Sequence, residues 1–315
     1  MTVLKSQEAL TKDADGAEVS LSGNRADRDA FERILNFRDV GATVNTFLGR
    51  KLVRESLLYR SARPDEATPA DRRLLRDGLG VRAVIDLRTH TEHLSKEERR
   101  RADPAAAAAG EPLQIPGVRY LEIKVTGRAF ERFLLSQLGW ISFLRFLFLF
   151  VLGYRMPAVS IIGREVMRPR GLLGLGTDTL DQSGAEIAEA LTALLDPSSL
   201  PAVIHCTQGK DRTGLLAALV LLALGPGAVP LPAIEHDYRL TDAALARQES
   251  PRERAARIAE IREIGLPDDF GGTVPGFVRG LAAHLEGRYG GVEAYLDGIG
   301  FGEGQRGRLR ERFLY

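Results

Sequence analysis

A chain of 315 residues, 44% apolar and 27% charged, has material for one large domain or two small ones with a substantial core. Forty-three basic residues against 42 acidic ones leave a net charge of +1, which gives no electrostatic reason to expect nucleic acid as a partner. A single cysteine excludes an internal disulfide and fits a reducing, cytoplasmic setting. The first residues, MTVLKSQEALTKDADGAEVS, lack the apolar core of a secretory signal. Residues 1–28 are therefore expected to be a polar, disordered arm, and residues 29–315 one folded domain.

Folding is expected to begin near Asn36-Phe37-Arg38-Asp39-Val40-Gly41. Leu57–Ser61 (LLYRS) follows as a short strand ending in polar residues. Thr68-Pro69 predicts a helix start, with an N-cap and a proline at the first helical position, and the helix stops at Gly78 or Gly80. Val81–Leu87 (VRAVIDL) is the clearest strand of the first half, with Asp86 and Arg88 at its C-terminal end, where α/β sheets hold ligands. Lys96–Arg101 (KEERRR) reads as a solvated charged helix end, and Asp103–Pro112, with five consecutive alanines, as a variable insertion. Tyr120–Val125 is a third strand.

Phe133–Gly153 (FLLSQLGWISFLRFLFLFVLG) is apolar on all sides from Phe143 to Leu152 except at Arg145. A helix of that kind is buried in protein or in lipid. Its length approaches the roughly 20 residues of a membrane span. A central arginine costs about 2.5–3.5 kcal/mol on insertion, which argues against spanning. Three readings stay open: a lid or core helix near the active site, contact with a membrane surface, and a true span. Further on, Ser183-x-x-Glu186 has the form of a capping box, preceded by Asp178 and Asp181 in a glycine-containing stretch.

The chemistry concentrates at His205-Cys206-Thr207-Gln208-Gly209-Lys210-Asp211-Arg212-Thr213-Gly214. An apolar run, Ala202–Ile204, precedes this loop, and a second, Leu215–Leu224, long enough for a buried helix, follows it. Strand, tight loop and helix N-terminus together present backbone N–H groups to one point, which makes an anion site. A nucleophilic sulfur must be thiolate, and positive surroundings favour that form. Arg212 is a planar fork for two phosphate oxygens. A Walker loop fails on spacing, because Asp211 follows Lys210. A zinc site fails for want of clustered ligands, and no metal or organic cofactor is implied.

The spacing Cys206-x5-Arg212-Thr213 resembles the HCx5R[S/T] signature of cysteine-based protein tyrosine phosphatases. HCTQGKDRTG resembles the HCxxGKDRTG branch of atypical bacterial tyrosine/lipid phosphatases and their fungal relatives. NFRDVG, LYRS, VIDLR and GGVEAYLDGIG, in this order, are similar to the same branch, so the resemblance covers nearly everything after residue 30. It implies an α/β fold, a central, mostly parallel sheet flanked by helices, with a helical lid insertion. It also implies a phosphomonoesterase with a cysteinyl-phosphate intermediate.

On that resemblance Cys206 is the nucleophile, and Thr207, Gln208, Gly209, Lys210, Asp211, Arg212 and Thr213 bind the substrate phosphate. Thr213 would hydrogen-bond the sulfur, and His205 would orient the loop. Arg38, Arg60, Asp86, Arg88 and Asp178 would frame the pocket. The general acid stays open among Asp211, Asp181, Asp178 and Asp86, with Asp211 placed first and Asp181 second. The substrate is expected to be a phosphorylated protein, with a phosphoinositide as the alternative. An inactive phosphate-binding scaffold is a third reading.

Overall fold

The computed structural model describes residues 31–89, 92–93 and 113–315. The expected arm 1–28, the run Lys96–Arg101 and the alanine-rich stretch Asp103–Pro112 lie outside the described residues. Five short strands form a sheet in the order β1-β2-β5-β3-β4. They are β1 (Arg38–Asp39), β2 (Leu58–Ser61), β3 (Ala83–Asp86), β4 (Arg119–Glu122) and β5 (Ala202–His205). β1 pairs antiparallel with β2, and the other neighbours are parallel. Ser61, His205 and Asp86 stand in register at the same end. The chain therefore leaves the central strand β5 between two polar strand ends.

Alternation across the pleat puts Leu58, Ile85, Ala202 and Ile204 in the main core, and Tyr59, Val84 and Val203 in a smaller core on the opposite face. The main face is covered by α1 (Val40–Leu48), α6 (Arg168–Gln182), α7 (Gly184–Ala193) and α8 (Asp211–Ala223), with α9 (Leu231–Gln248), α11 (Phe277–Tyr289), α12 (Val292–Gly298) and α13 (Glu303–Phe313) around them. Ten of the thirteen residues of α8 are buried, the behaviour of a helix apolar on every side. The second face carries α2 (Pro69–Arg73), which starts at Thr68 in a capping box with Asp71 and runs into a π-turn ending at Gly78. The remaining helices are α3 (Arg128–Ser136), α4 (Trp140–Val151), α5 (Arg155–Ile162) and α10 (Pro251–Glu263).

Two expectations are corrected here. Phe133–Gly153 is not one helix: it is the end of α3 and the whole of α4, parted at Gly139, which caps α4 in extended conformation. No residue of α4 is buried, so it is not a core helix. The physical reason is that α3 and α5 already satisfy each other through Phe130, Leu134, Ile161 and Val166 near the π-turn after α5. Only Phe146 and Leu149 of α4 add to that cluster. No helix among the described residues is long and apolar enough to cross a membrane.

The second correction concerns the stretch before α7. Asp178 and Asp181 lie inside α6. Gly176, one of that stretch's glycines, is where α6 meets α11: a Cβ there would lie 2.9 Å from the Phe277 ring. The glycine serves close helix packing. The Ser183 hydroxyl makes no cap bond, so the expected capping box does not form.

A candidate phosphate-binding active site

Cys206 follows directly on the last residue of β5 and is 3% exposed. The loop after it turns back into α8 within five residues. The turn requires glycine at position 209, where φ is +65° and a Cβ would lie 2.1 Å from the Ser61 carbonyl oxygen. The shape is set by where the loop's carbonyl groups go. The Arg63 amide donates to the Thr207 oxygen at 3.2 Å. Asn36 Nδ2 donates to the Gln208 and Gly209 oxygens, both at 3.1 Å. The Arg60 guanidinium donates to the Gly209 oxygen at 2.8 Å, and the Gly214 amide to the Lys210 oxygen at 2.7 Å. A peptide's N–H points opposite to its C=O. Tying these oxygens away from the loop's interior leaves the amides directed inward, over Cys206 and at the N-terminus of α8, an arrangement that attracts anions.

The supports of the loop are themselves buried charges. Asp237 on α9 accepts from Arg38 Nε at 2.9 Å and forms an ion pair with Arg60 on its other oxygen. Burial opposes the Asp237 charge, but the two arginines outweigh it and hold its pKa below the usual carboxylate range. Arg38 also donates to Asn36 Oδ1 at 2.5 Å and fixes the side chain that holds the loop. Asn36 adopts φ +56°, a left-handed conformation that asparagine tolerates better than most residues. Arg38 and Arg60, expected to frame the pocket, lie beneath the loop, 3% and 0% exposed. Guanidinium groups bond carbonyl oxygens there, where a substrate phosphate has no access.

Arg88 and Asp86, also expected to frame the pocket, are buried too. The Arg88 fork holds Asp86 (Nη2 to Oδ2 2.7 Å) and Asp65 (Nη1 to Oδ2 2.6 Å), and all are buried or nearly so. Burial works against both charges of the Asp86–Arg88 pair. Asp86 nevertheless sits below the usual carboxylate range, held by His205 and Arg88, and Arg88 above its own usual value, held by Asp86 and Asp65. His205, fully buried, places Nδ1 3.1 Å from the Cys206 carbonyl oxygen and Nε2 3.5 Å from Asp86. Burial, more than Asp86 offsets, keeps its pKa below the ordinary imidazole value. Its ring, bonded within the loop, positions the strand end that carries Cys206.

Inside the cradle, Arg212 in the first turn of α8 is bidentate to Glu92, with Nη1 to Oε2 at 2.7 Å and Nη2 to Oε1 at 2.6 Å. Thr207 Oγ1 donates to the same carboxylate at 2.5 Å. Burial disfavours the Glu92 charge, but Arg212 prevails and sets the carboxyl well below its usual range. Glu92 was not anticipated from the sequence. Its signal was present as Thr89-x-x-Glu92, a capping box directly after the β3 strand: Thr89 N donates to Glu92 Oε2 at 2.8 Å. Lys210 is completely buried and gives its Nζ to Asp211 at 2.7 Å, so its charge serves Asp211. Asp211 is 41% exposed at the helix start. The Thr213 hydroxyl and Gln208 Oε1 are buried without a partner.

Asp181 is not brought to this loop by any bond of its carboxylate. His284 Nε2 and the Tyr289 hydroxyl both approach Oδ1 at 2.7 Å, and Arg288 lies 3.3 Å from Oδ2. Asp178 pairs with Arg170 at 3.0 Å, and burial raises its pKa more than that pairing lowers it. Asp181 thus ties α6 to α11, and Asp178 pairs within α6. Among the described residues no group of three or more His, Cys, Asp or Glu side chains is placed to hold a metal ion.

A "Tyrosine-protein phosphatase" of Nostoc commune is 31% identical over 166 residues, 49% of this chain and 55% of the relative. The "Triple specificity protein phosphatase PtpB" of Mycobacterium tuberculosis is 26% identical over 139 residues, 41% of this chain and 49% of the relative. The chain thus spans about half the length of the curated relatives it matches. The core catalytic domain of the PP-IP phosphatase SIW14 from S. cerevisiae aligns with 68% of this chain and 95% of its own, at 14% identity and a TM-score of 0.30, too loose to bear on the fold. The family model described as "Tyrosine phosphatase family" matches residues 30–315 and so takes in the cradle, its buried arginine supports and the helices around them; the chain belongs to that family.

Proposed function

We propose that this chain hydrolyses phosphomonoesters, as a protein-tyrosine or dual-specificity phosphatase, through a phosphocysteine intermediate. The observation that carries this reading is the outward tying of the loop carbonyls by Asn36, Arg60 and Arg63, which leaves amides and Arg212 to receive phosphate oxygens above Cys206. The Cys206 thiolate attacks phosphorus in line, an S–P bond forms and the P–O bond to the leaving group breaks. Negative charge on the three equatorial oxygens is met by donors already in place, the main source of rate in phosphoryl transfer. Glu92 gives up Arg212 to the phosphate or shares it, and meanwhile fixes its plane.

Asp211 is the proposed acid. It stands at the mouth of the cradle, accessible, with Lys210 holding one oxygen. Its proton goes to the leaving oxygen; water then attacks phosphorus, returns a proton to Asp211, and the S–P bond breaks. The unpartnered Thr213 hydroxyl is available to stabilise the departing sulfur. The burial of Lys210 against Asp211 removes the free cation that a second phosphate group would need, which favours phosphotyrosine over phosphoinositides.

Hydrolysis of nitrophenyl phosphate and of an alkyl phosphate tests the reading. Cys206→Ser is expected to abolish both, at least ~10⁴-fold, and equal rates would leave only a phosphate-binding scaffold. Asp211→Asn is expected to slow the alkyl ester by ~10²–10⁴ and the nitrophenyl ester much less, because nitrophenolate leaves without a proton. Equal slowing of the two would remove Asp211 as the acid.

A further inference from the structure

α4 is the least accounted-for element of the molecule. Its twelve residues, WISFLRFLFLFV, include no buried one. Trp140, Leu144, Leu147, Phe148 and Val151 fall on a single outward stripe at helical spacing, Trp140 74% and Val151 75% exposed. An apolar face of this size facing water marks an interaction surface. Beside it an open groove of about 500 Å³ is lined by Arg132, Leu135, Ser136, Leu138, Trp140 and Phe143.

The charges around the stripe say what covers it. Residues 124–170 contain eight basic and two acidic side chains in a chain whose net charge is +1, so the remainder is net acidic. Arg128, Arg132, Arg145, Arg155 and Arg168 are exposed and have no ion-pair partner among the described residues. Arg145 lies exposed beside the stripe, and an arginine there can lay its aliphatic stem on apolar surface while its guanidinium stays in water. We infer that α4 and its arginine rim dock this domain on an anionic lipid surface, the apolar stripe entering the headgroup boundary and the arginines meeting lipid phosphates and carboxylates. A second copy of the chain is a poorer occupant, since two such surfaces would bring like charges together. Spanning is ruled out by length, because twelve helical residues cover about 18 Å. Interfacial helices combine these features: a broad apolar face, tryptophan at the boundary and flanking arginine. The inference does not depend on the phosphatase reading.

The chain supplies its own probe, because Trp140 is its one tryptophan. Vesicles of phosphatidylcholine alone and of phosphatidylcholine with phosphatidylserine would be added to the full chain, with emission and sedimentation recorded. Blue-shifted emission and cosedimentation with the anionic vesicles, weakened by salt and at least tenfold poorer with neutral ones, are expected. Phe148→Asp with Leu144→Asp should reduce binding tenfold or more. Arg145→Glu with Arg155→Glu, which changes only exposed charges, should do the same at unchanged nitrophenyl phosphate hydrolysis. Unshifted emission with both vesicle types overturns the proposal. So does equal binding to both, or a dimer in light scattering that Phe148→Asp dissolves while vesicles are ignored.

Discussion

The cradle and α4 break the ordinary partition of polar and apolar side chains in opposite senses. Beneath the cradle lie Arg38, Arg60, Arg88, Asp86, Asp237, His205 and Lys210, all 5% exposed or less. On α4 the large apolar residues stand in water. Buried charge is expensive unless it is paired, and the lower cradle pairs its arginines and aspartates in ion pairs and carbonyl contacts that also shape the loop, although Arg60 Nε and His205 Nε2 are left without a hydrogen-bond partner. Exposed apolar area costs each residue less and needs no exact partner. One region is therefore intolerant of single substitutions and the other tolerant, and both departures point to function.

The contrast is broken most severely at Asp237. Asp237→Ala leaves Arg38 and Arg60 buried and uncompensated, and a loss of about 3–5 kcal/mol is expected in urea unfolding. A loss below 1 kcal/mol would mean that the arginines find other acceptors and that the layer is not tightly coupled. Glu92→Gln sharpens the comparison inside the cradle. Arg212 keeps its charge but loses its bidentate guide, so kcat is expected to fall roughly 10–100-fold without a rise in KM, since the competing carboxylate is gone. A raised KM at unchanged kcat would assign Glu92 to binding only.

The smallest effect concerns pH. His205 has a depressed pKa in the fold, so below about pH 6.5 the unfolded chain takes up a proton that the folded one refuses. Stability is full above that value and declines as pH falls, by up to ~1.4 kcal/mol per pH unit. Asp86, Asp237 and Glu92, also depressed, keep their contribution until pH falls below about 4 and lose it from there down. Thermal melts from pH 8 to 5 check the first decline, which His205→Gln should flatten.

Much of the fold was legible because it rests on local pattern. The strands Leu58–Ser61, Ala83–Asp86 and Ala202–His205 are short runs that begin apolar and end polar, the Thr68 cap is local chemistry, and Cys206 and Arg212 are linked by a loop too short to separate them. The roles of the other arginines were not legible. Their residue type suits a phosphate as well as a carboxylate or a carbonyl, and only the packing of α9 against β1 and β2 gives Arg38 and Arg60 to Asp237. The role of Gly176 was not legible either, because sequence does not distinguish a glycine needed for freedom from one needed for closeness.

What the amino-acid order determined by itself is the Cys206–Arg212 loop and the individual strands beside it, since each follows from contiguous residues acting over a few ångströms. Tertiary structure alone decided three things. It set Glu92 on Arg212 across 120 positions of chain, drew Asp181 away to His284 and Tyr289, and left α4 uncovered. Each depends on which distant surface is already occupied when two elements meet, and that is a property of the packed whole that no local stretch encodes.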